Sequence, residues 1–228
     1  MSIRREKSSS SPNNIQKIVI ILGLPRSGTT LAAAIFDAHD ETVVCYEPWN
    51  RSNKEKLGPR LTPKQLADFY RQPVPTTATT FVIKETSVEI DALTWISSFI
   101  EYNCDQYPIK VIWTIRNFSH SYLSLMERGR EWWGNQNMNI DIASYNRWLT
   151  KALRATDLIS HLFKASPGLI YSYEALVDNP HNVIKKLMGT CDLTYSDKLI
   201  NYFEHVPRKN IRGDINIQKN PAAIQDDS

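Results

Sequence analysis

The stretch Ile18-Val-Ile-Ile-Leu-Gly-Leu-Pro-Arg-Ser-Gly-Thr-Thr30 decides the fold of this chain. An apolar run typical of a buried strand passes directly into a loop bracketed by Gly23 and Gly28, and that loop opens a helix. Backbone N–H groups at the start of such a helix form a cradle for anions. The sequence therefore predicts a strand–loop–helix unit that holds a phosphate-like group.

The two glycines have the spacing of a Walker A loop, G-x-x-x-x-G-K-[ST]. Thr30 falls where that motif has its hydroxyl, but Thr29 stands where it has lysine, which argues against an ordinary ATPase or kinase. Backbone N–H groups, the hydroxyls of Ser27, Thr29 and Thr30 and the charge of Arg26 still suit a phosphate. A glycine turn that merely joins the strand to the helix is the alternative interpretation.

Length and composition favour one globular domain. The chain has 228 residues, of which 42% are hydrophobic, which is enough to bury a full core. We expect a single domain over residues 15–228, preceded by a disordered leader over 1–14 whose composition offers little to bury. From about residue 207 the chain is expected to form a basic loop.

Charge, cysteine content and hydropathy exclude several classes of protein. A net charge of +3 is too small and too dispersed for a dedicated nucleic-acid binder. Cys45, Cys104 and Cys191 are widely separated, so neither a disulfide framework nor a zinc site is indicated. No apolar run reaches the roughly 18 residues of a membrane span, so we expect no transmembrane segment and a cytoplasmic location.

Apolar runs and helical spacing alternate along the chain, which predicts an α/β fold with a mainly parallel central sheet flanked by helices. The predicted strands are 17–22, 80–84, 109–115 and 169–173. The predicted helices are 29–38, 63–70, 87–102, 119–128, 141–163, 180–188 and 196–205.

Ligands of such folds lie at the carboxyl ends of the strands. Arg26, Lys84 and Arg116 each follow or close a predicted strand, and three cations at one edge suit a polyanionic nucleotide. The strand that ends before Arg116-Asn117 has no acid where metal-dependent P-loop enzymes hold magnesium. No metal is therefore expected.

The residues Pro25-Arg-Ser-Gly-Thr-Thr30 resemble the 5′-phosphosulfate loop of sulfotransferases that use 3′-phosphoadenosine 5′-phosphosulfate (PAPS). The run Ile115-Arg-Asn-Phe-Ser-His-Ser-Tyr-Leu-Ser124 is similar to the family's second motif. This resemblance implies that Arg116 and Ser124 bind the 3′-phosphate of PAPS. Phe118 departs from the proline that the family commonly has there.

Two further segments extend the resemblance. The residues from Tyr173 to Leu176 are similar to the Tyr-Glu-x-Leu segment of the family, which implies that Tyr173 lies beside the adenine. Aromatic packing at a strand end is the alternative. Arg212-Gly213 resembles the late loop that closes over the 3′-phosphate, and a solvated charged tail is the alternative there.

The resemblance also implies a catalytic pair. Lys84 matches the lysine that stabilises the departing phosphate, and Glu47 resembles the catalytic glutamate of tyrosylprotein sulfotransferases in its distance along the chain from Arg26. The context Tyr46-Glu47-Pro48 looks more like that of carbohydrate sulfotransferases. Glu85 is the second candidate for the base. A turn acid ahead of Pro48 is the alternative role for Glu47.

Histidine bases of cytosolic small-molecule sulfotransferases follow such a lysine by two residues, where this chain has Thr86. His39 and His120 are therefore expected to be structural or solvent-facing. Four aromatic and cationic residues after the predicted 3′-phosphate helix suit contact with an acceptor such as a sugar or an anionic polymer. Packing in the protein core and at its rim is the equal alternative. These four residues are Arg128, Arg130, Trp132 and Trp133.

The implied reaction is in-line transfer of a sulfuryl group from PAPS to a hydroxyl or amine, which leaves adenosine 3′,5′-bisphosphate as the product. Glu47 takes the proton, and Arg26, Lys84 and the loop hydroxyls balance charge. A glycan or glycolipid hydroxyl is the first-choice acceptor, and tyrosine or a small alcohol is the alternative. A P-loop nucleoside or sugar kinase and a non-catalytic nucleotide-binding protein are the competing interpretations. The oligomeric state is left open.

Overall fold

The computed structural model describes residues 14–49, 58, 60–86, 90–133 and 141–205, without the side chains of 128–133 and 202–205. The strands are β1 Lys17–Gly23, β2 Thr42–Tyr46, β3 Thr80–Thr86, β4 Ile109–Ile115 and β5 Pro167–Ser172. The helices are α1 Thr29–Asp37, α2 Pro63–Phe69, α3 Ile90–Asn103, α4 Phe118–Trp133, α5 Ile142–Ala165, α6 Tyr173–Asp178 and α7 Pro180–Thr190. A 3-10 helix, Asp197–His205, follows α7.

The strands form one parallel sheet in the order β2-β3-β1-β4-β5. Gly23, at the end of the central strand β1, is level with Thr86 on β3 and Thr114 on β4. The carboxyl ends of three neighbouring strands therefore meet at one edge, where parallel α/β sheets bind ligands. The predicted α/β class, with a central parallel sheet flanked by helices, is confirmed.

Helices cover both faces of the sheet because the central strands are apolar on both sides. Successive residues of β1 point to opposite faces, so Ile20 lies in one core cluster and Ile21 in the other. Helices α2 to α5 pack on the first face, and α1, α6 and α7 pack on the second. Burial of each such isoleucine contributes about 1.5–3 kcal/mol of hydrophobic free energy. The sheet that carries the residues of the carboxyl edge is therefore stabilised from both faces.

The predicted elements are present with shifted ends, and two elements were missed. β4 occupies the predicted range 109–115, whereas the helix predicted at 119–128 begins one residue earlier and extends to Trp133. β2 was not predicted because Thr-Val-Val-Cys-Tyr is too short an apolar run for its period to identify it. The segment predicted as a helix at 196–205 is a 3-10 helix.

The second missed element is α6, and it corrects the position of Tyr173. The predicted strand 169–173 included Tyr173, but β5 ends at Ser172 and Tyr173 is the first residue of α6. The Ser172 side chain accepts a hydrogen bond from the backbone N–H of Ala175 at 3.0 Å. This N-cap ends the strand and begins the helix.

Several predictions fall outside the described residues. The leader predicted at 1–14 is described only at Asn14, and the basic loop from about 207 is not described. Within the described ranges, no helix is both long and apolar enough to cross a membrane.

Candidate functional site

The loop between β1 and α1 passes very close to β4. A Cβ at Gly23 would lie 2.4 Å from both Ser27 Oγ and Thr114 Oγ1, so only glycine fits there. Gly28 has φ of 93°, in the left-handed region that favours glycine, and caps the start of α1. These two glycines let the backbone fold back over the edge of the sheet, where α1 begins.

Hydroxyl groups of the loop fasten it to both neighbouring strands. Ser27 Oγ lies 2.9 Å from Thr114 Oγ1 on β4, and Thr29 Oγ1 lies 2.8 Å from Thr86 Oγ1 on β3. Both pairs are buried, and Thr30 is half-buried one residue further along α1. In this conformation Ser27 and Thr29 hold the cradle in place, and their predicted contact with a phosphate stays a prediction.

Substitution of Gly28 by alanine tests the cradle. The new Cβ would lie 2.9 Å from Tyr173 Cδ2, on a backbone that L-residues rarely adopt. We expect the free energy of unfolding to fall by about 1–3 kcal/mol and binding of adenosine 3′,5′-bisphosphate to weaken at least about tenfold. Urea unfolding and calorimetry measure the two effects.

Gly189→Ala is the matched control for this substitution. Gly189 lies within α7, and among the described residues no atom outside its own helix and chain neighbours lies within 4 Å of the position of its Cβ. Alanine should stabilise the helix there by about 0.5–1 kcal/mol and leave binding unchanged. Equal binding by both variants and the wild type would contradict the assignment of the cradle.

Two motifs that are distant in sequence meet above the cradle. Arg26 Nε donates a hydrogen bond to Ser124 Oγ on α4 at 3.0 Å. Arg116 Nη1 donates to the backbone oxygen of Arg26, also at 3.0 Å. The loop after β1, the end of β4 and helix α4 are therefore joined by a chain of polar contacts. The structure brings together Arg26 of the first predicted binding motif and Arg116 and Ser124 of the second.

Arg116 is held in an environment that suits an anionic ligand. Its side chain is 10% exposed, its Cζ lies 4.1 Å from the centroid of the Tyr173 ring, and its Nε lies 4.0 Å from Glu174 Oε1. Nε is buried and has no hydrogen-bond acceptor among the described residues. Because a buried donor is costly to leave unsatisfied, this guanidinium fits a phosphate that would supply the acceptor.

Tyr173 lies under this guanidinium and against the cradle. It is 4% exposed, and its ring contacts Arg116 on one side and approaches Gly28 on the other. Its predicted contact with adenine stays a prediction. Sequence reasoning missed its support of Arg116 and missed Glu174 altogether, although a Tyr-Glu pair directly after a strand end was a usable signal.

Lys84 and Glu47 form an ion pair at the end of β3. Lys84 Nζ contacts Glu47 Oε1, with side chains that are 4% and 33% exposed. The backbone N–H of Glu47 donates to the Lys84 carbonyl at 2.7 Å, and Glu47 adopts φ of 48°. The lysine charge therefore compensates the carboxylate that lies near the cradle, while the carboxylate stays reachable from solvent.

Glu85, the second candidate for the base, is fully enclosed. It is 1% exposed, and its Oε2 accepts the N–H of Trp49 at 3.1 Å while Oε1 accepts that of Thr86 at 3.2 Å. Burial raises the pKa of Glu85 to about 7, and the negative charge of Glu47 adds to this increase. The two hydrogen bonds act in the opposite direction and lower the pKa. A carboxyl in this position cannot reach an acceptor that enters from solvent.

The remaining predicted residues lie elsewhere or outside the described part. His39 is buried and contacts the Thr194 carbonyl through Nε2 at 2.9 Å, and His120 is exposed on α4. The backbone of α4 includes Arg128, Arg130, Trp132 and Trp133, but their side chains are not among those described. Arg212 and Gly213 lie outside the described residues.

A parallel sheet with a glycine-bracketed anion cradle at the end of its central strand defines a P-loop-like α/β protein. The family model "Sulfotransferase domain" matches residues 16–220. The chain therefore belongs to the sulfotransferase family.

Solved structures of sulfotransferases share this fold. The sulfotransferase domain of the Synechococcus PCC 7002 olefin synthase is 18% identical, with a TM-score of 0.57 over 95% of this chain and 89% of that one. Mouse sulfotransferase SULT7A1, solved in complex with PAP, is 12% identical, with a TM-score of 0.56 over 88% of this chain and 69% of that one. The sulfotransferase domain from the curacin biosynthetic pathway is 16% identical, with a TM-score of 0.56 over 83% and 78%.

A sequence relative is much longer than this chain. An uncharacterized protein of Aquifex aeolicus (strain VF5) is 23% identical over 222 residues, which cover 89% of this chain. The match spans 28% of that relative's length.

Proposed function

We propose that this protein transfers a sulfuryl group from PAPS to a hydroxyl or amine acceptor without a metal ion. The observation that carries the proposal is the contact of Arg116 with the loop carbonyl of Arg26, together with the bond from Arg26 to Ser124. This arrangement offers donors to two phosphate groups at once, one at the cradle and one beside the unsatisfied Nε of Arg116.

The donor fits residues on both sides of this contact. The cradle from Ser27 to Thr30 and Arg26 would hold the 5′-phosphosulfate, and Arg116 and Ser124 would hold the 3′-phosphate. The PAP bound to mouse sulfotransferase SULT7A1 supports a related nucleotide here, at the level of the shared fold. Contacts of Tyr173 with adenine and of Arg212-Gly213 with the 3′-phosphate remain part of the proposal.

The ion pair at the end of β3 supports the chemistry. In the proposed reaction the acceptor oxygen bonds to sulfur, the bond between sulfur and the phosphate oxygen breaks, and Glu47 takes the acceptor proton. Lys84 offsets the charge that develops on the departing phosphate, so that the products are a sulfate ester and adenosine 3′,5′-bisphosphate. The contact between Lys84 and Glu47 places both groups at the same strand end.

The proposed acceptor is a glycan or glycolipid hydroxyl. It rests on the Tyr46-Glu47-Pro48 sequence and its likeness to carbohydrate sulfotransferases. Glu47 is the more exposed of the two candidate bases, which supports its choice over the enclosed Glu85. The cytoplasmic location stays a prediction from the sequence.

Substitution of Glu47 by glutamine tests the proposed base. Glutamine keeps the shape of the side chain but takes no proton, so kcat for sulfuryl transfer should fall by about 10²–10⁴-fold. The dissociation constant for adenosine 3′,5′-bisphosphate should change less than about twofold. Transfer of ³⁵S from labelled PAPS to a panel of glycans, glycolipids, tyrosine peptides and small alcohols measures the rate, with EDTA present throughout.

Glu101→Gln is the matched control, because Glu101 is exposed near the end of α3, away from the carboxyl edge of the sheet. It should leave both quantities unchanged. Tight nucleotide binding with no transfer to any acceptor, in the wild type as well as in Glu47→Gln, would favour a non-catalytic nucleotide-binding protein instead.

A further inference from the structure

Glu85 connects two segments that carry the proposed chemistry. Its Oε2 accepts the backbone N–H of Trp49, which lies two residues beyond Glu47 on the loop after β2. Its Oε1 accepts the N–H of Thr86, whose hydroxyl lies 2.8 Å from that of Thr29 at the start of α1. The bond to Trp49 ties the loop that carries Glu47 to β3, while the bond to the neighbouring Thr86 orients the Glu85 carboxyl within the strand end that contacts the cradle.

The surroundings of Glu85 give this side chain no path to a substrate. Glu85 is buried on the face of β3 opposite to that of Lys84, and Trp49 beside it is completely buried against Phe99, with ring centroids 5.4 Å apart. The charged groups that act on Glu85 are Glu47 on the loop and Lys84 on its own strand. Any effect of Glu85 on the reaction must therefore pass through the residues that it holds.

We propose that Glu85 is a positioning residue: its hydrogen bond to Trp49 fixes the Glu47 loop against the end of β3, so that the Glu47 carboxylate meets Lys84, and its bond to Thr86 orients the carboxyl for this contact. The expected effect of Glu85 on catalysis rests on the proposed function, whereas its effect on the packing of the Glu47 loop does not. When Glu85 loses its proton, both bonds gain an anionic acceptor while a buried charge faces Glu47. The loop should therefore change its packing as Glu85 titrates.

The direction of the stability effect follows from the proton count. The folded protein keeps the Glu85 proton up to about pH 7, whereas the unfolded chain releases it near the ordinary value of 4.5. The folded state therefore binds more protons between these two values, and the contribution of Glu85 to stability falls as the pH rises through this window. Glu85→Gln, which cannot ionise, removes this dependence.

Trp49 supplies a readout that does not depend on activity. Its backbone N–H is bonded to Glu85, so the fluorescence of its buried indole should report the packing of the loop. We would record fluorescence from pH 5.5 to 8.5 for the wild type, Glu85→Gln, Trp49→Phe and the double variant. The chain has six tryptophans. Subtracting the fluorescence of the Trp49→Phe counterpart from that of each protein isolates the signal of the Trp49 indole from that of the other five.

We expect a transition near pH 7 in the Trp49 signal of the wild type and none in that of Glu85→Gln. In the transfer assay, Glu85→Gln should lower kcat by about 10–100-fold through misplacement of Glu47, with the KM for PAPS within about twofold of the wild type. Gln65→Glu places a carboxyl at an exposed position of α2, where Gln65 contacts Thr62, and should reproduce the wild-type titration.

Three results would overturn the proposal. They are a pH transition that persists in Glu85→Gln, a Trp49 signal that is flat in the wild type, and a KM for PAPS that rises as much as kcat falls. If no protein in the set transfers sulfate, the proposed function fails, and the fluorescence titration still decides whether Glu85 holds the loop. Urea unfolding of Glu85→Gln at pH 5.5, where the wild-type carboxyl is also neutral, confirms that the variant is folded.

Discussion

Replacement of Arg116 by alanine is expected to weaken binding of adenosine 3′,5′-bisphosphate by about 30–1000-fold, because the proposed charge-assisted contact to the 3′-phosphate would be lost. The guanidinium is already oriented by the Tyr173 ring and by the Arg26 carbonyl, so little ordering is needed on binding. Isothermal titration calorimetry in EDTA measures the affinity. The same titration with adenosine 5′-phosphate, which lacks the 3′-phosphate, should show almost no difference between wild type and variant.

Arg147→Ala is the control for loss of a positive charge. Arg147 is exposed on α5, where its Nη2 donates to Ser144 Oγ at 2.8 Å, and its removal should leave the affinity unchanged. Preference of the wild type for ATP with Mg²⁺ over adenosine 3′,5′-bisphosphate would contradict the proposed donor. That outcome would favour the P-loop kinase interpretation.

Replacement of Lys84 by methionine is the second substitution with a large expected effect. Methionine keeps most of the apolar stem in its buried position but removes the cation that would balance the departing phosphate. We expect kcat for sulfuryl transfer to fall by about 10²–10³-fold.

The control for this variant is Lys198→Met. Lys198 also forms an ion pair, with Asp40 at 2.5 Å, but its side chain is 50% exposed on the 3-10 helix. Exposed pairs contribute about 0–1 kcal/mol, so this variant should keep both its activity and its stability. A transfer rate of Lys84→Met within threefold of the wild type would exclude the assigned role of Lys84.

The elements that could be predicted from the sequence are those whose local pattern of apolar residues matches their burial in the folded protein. β1 is buried on both faces from Ile18 onwards, so it forms a continuous apolar run, and β4 is a mainly apolar run interrupted by Lys110 and Thr114; both are visible without a structure. β2 and α6 are short, and their ends are set by contacts with neighbouring elements rather than by their own period. Tyr173 was assigned to a strand because only the Ser172 cap separates the two elements.

The candidate site was predictable to the extent that it follows strand ends. Arg26, Lys84 and Arg116 were predicted because parallel strands deliver their following residues to one edge. The partners of these cations were not predictable in the same way. The Tyr173-Glu174 pair after a strand end was a local signal, but tertiary packing decides that Glu174 meets Arg116 and that Trp49 meets Glu85.

The backbone of the site has a consequence for attempts to stabilise this protein. Arg26 and Glu47 adopt φ of 68° and 48°, a conformation that costs a residue other than glycine about 1–3 kcal/mol. Glycine at either position would relieve that strain while deleting a proposed donor-binding or proton-accepting side chain. At Glu47 this relief competes with the loss of the partner charge of Lys84, whose side chain is 4% exposed. A selection for heat resistance alone would therefore favour glycine at Arg26, so libraries for thermostability should keep this position fixed.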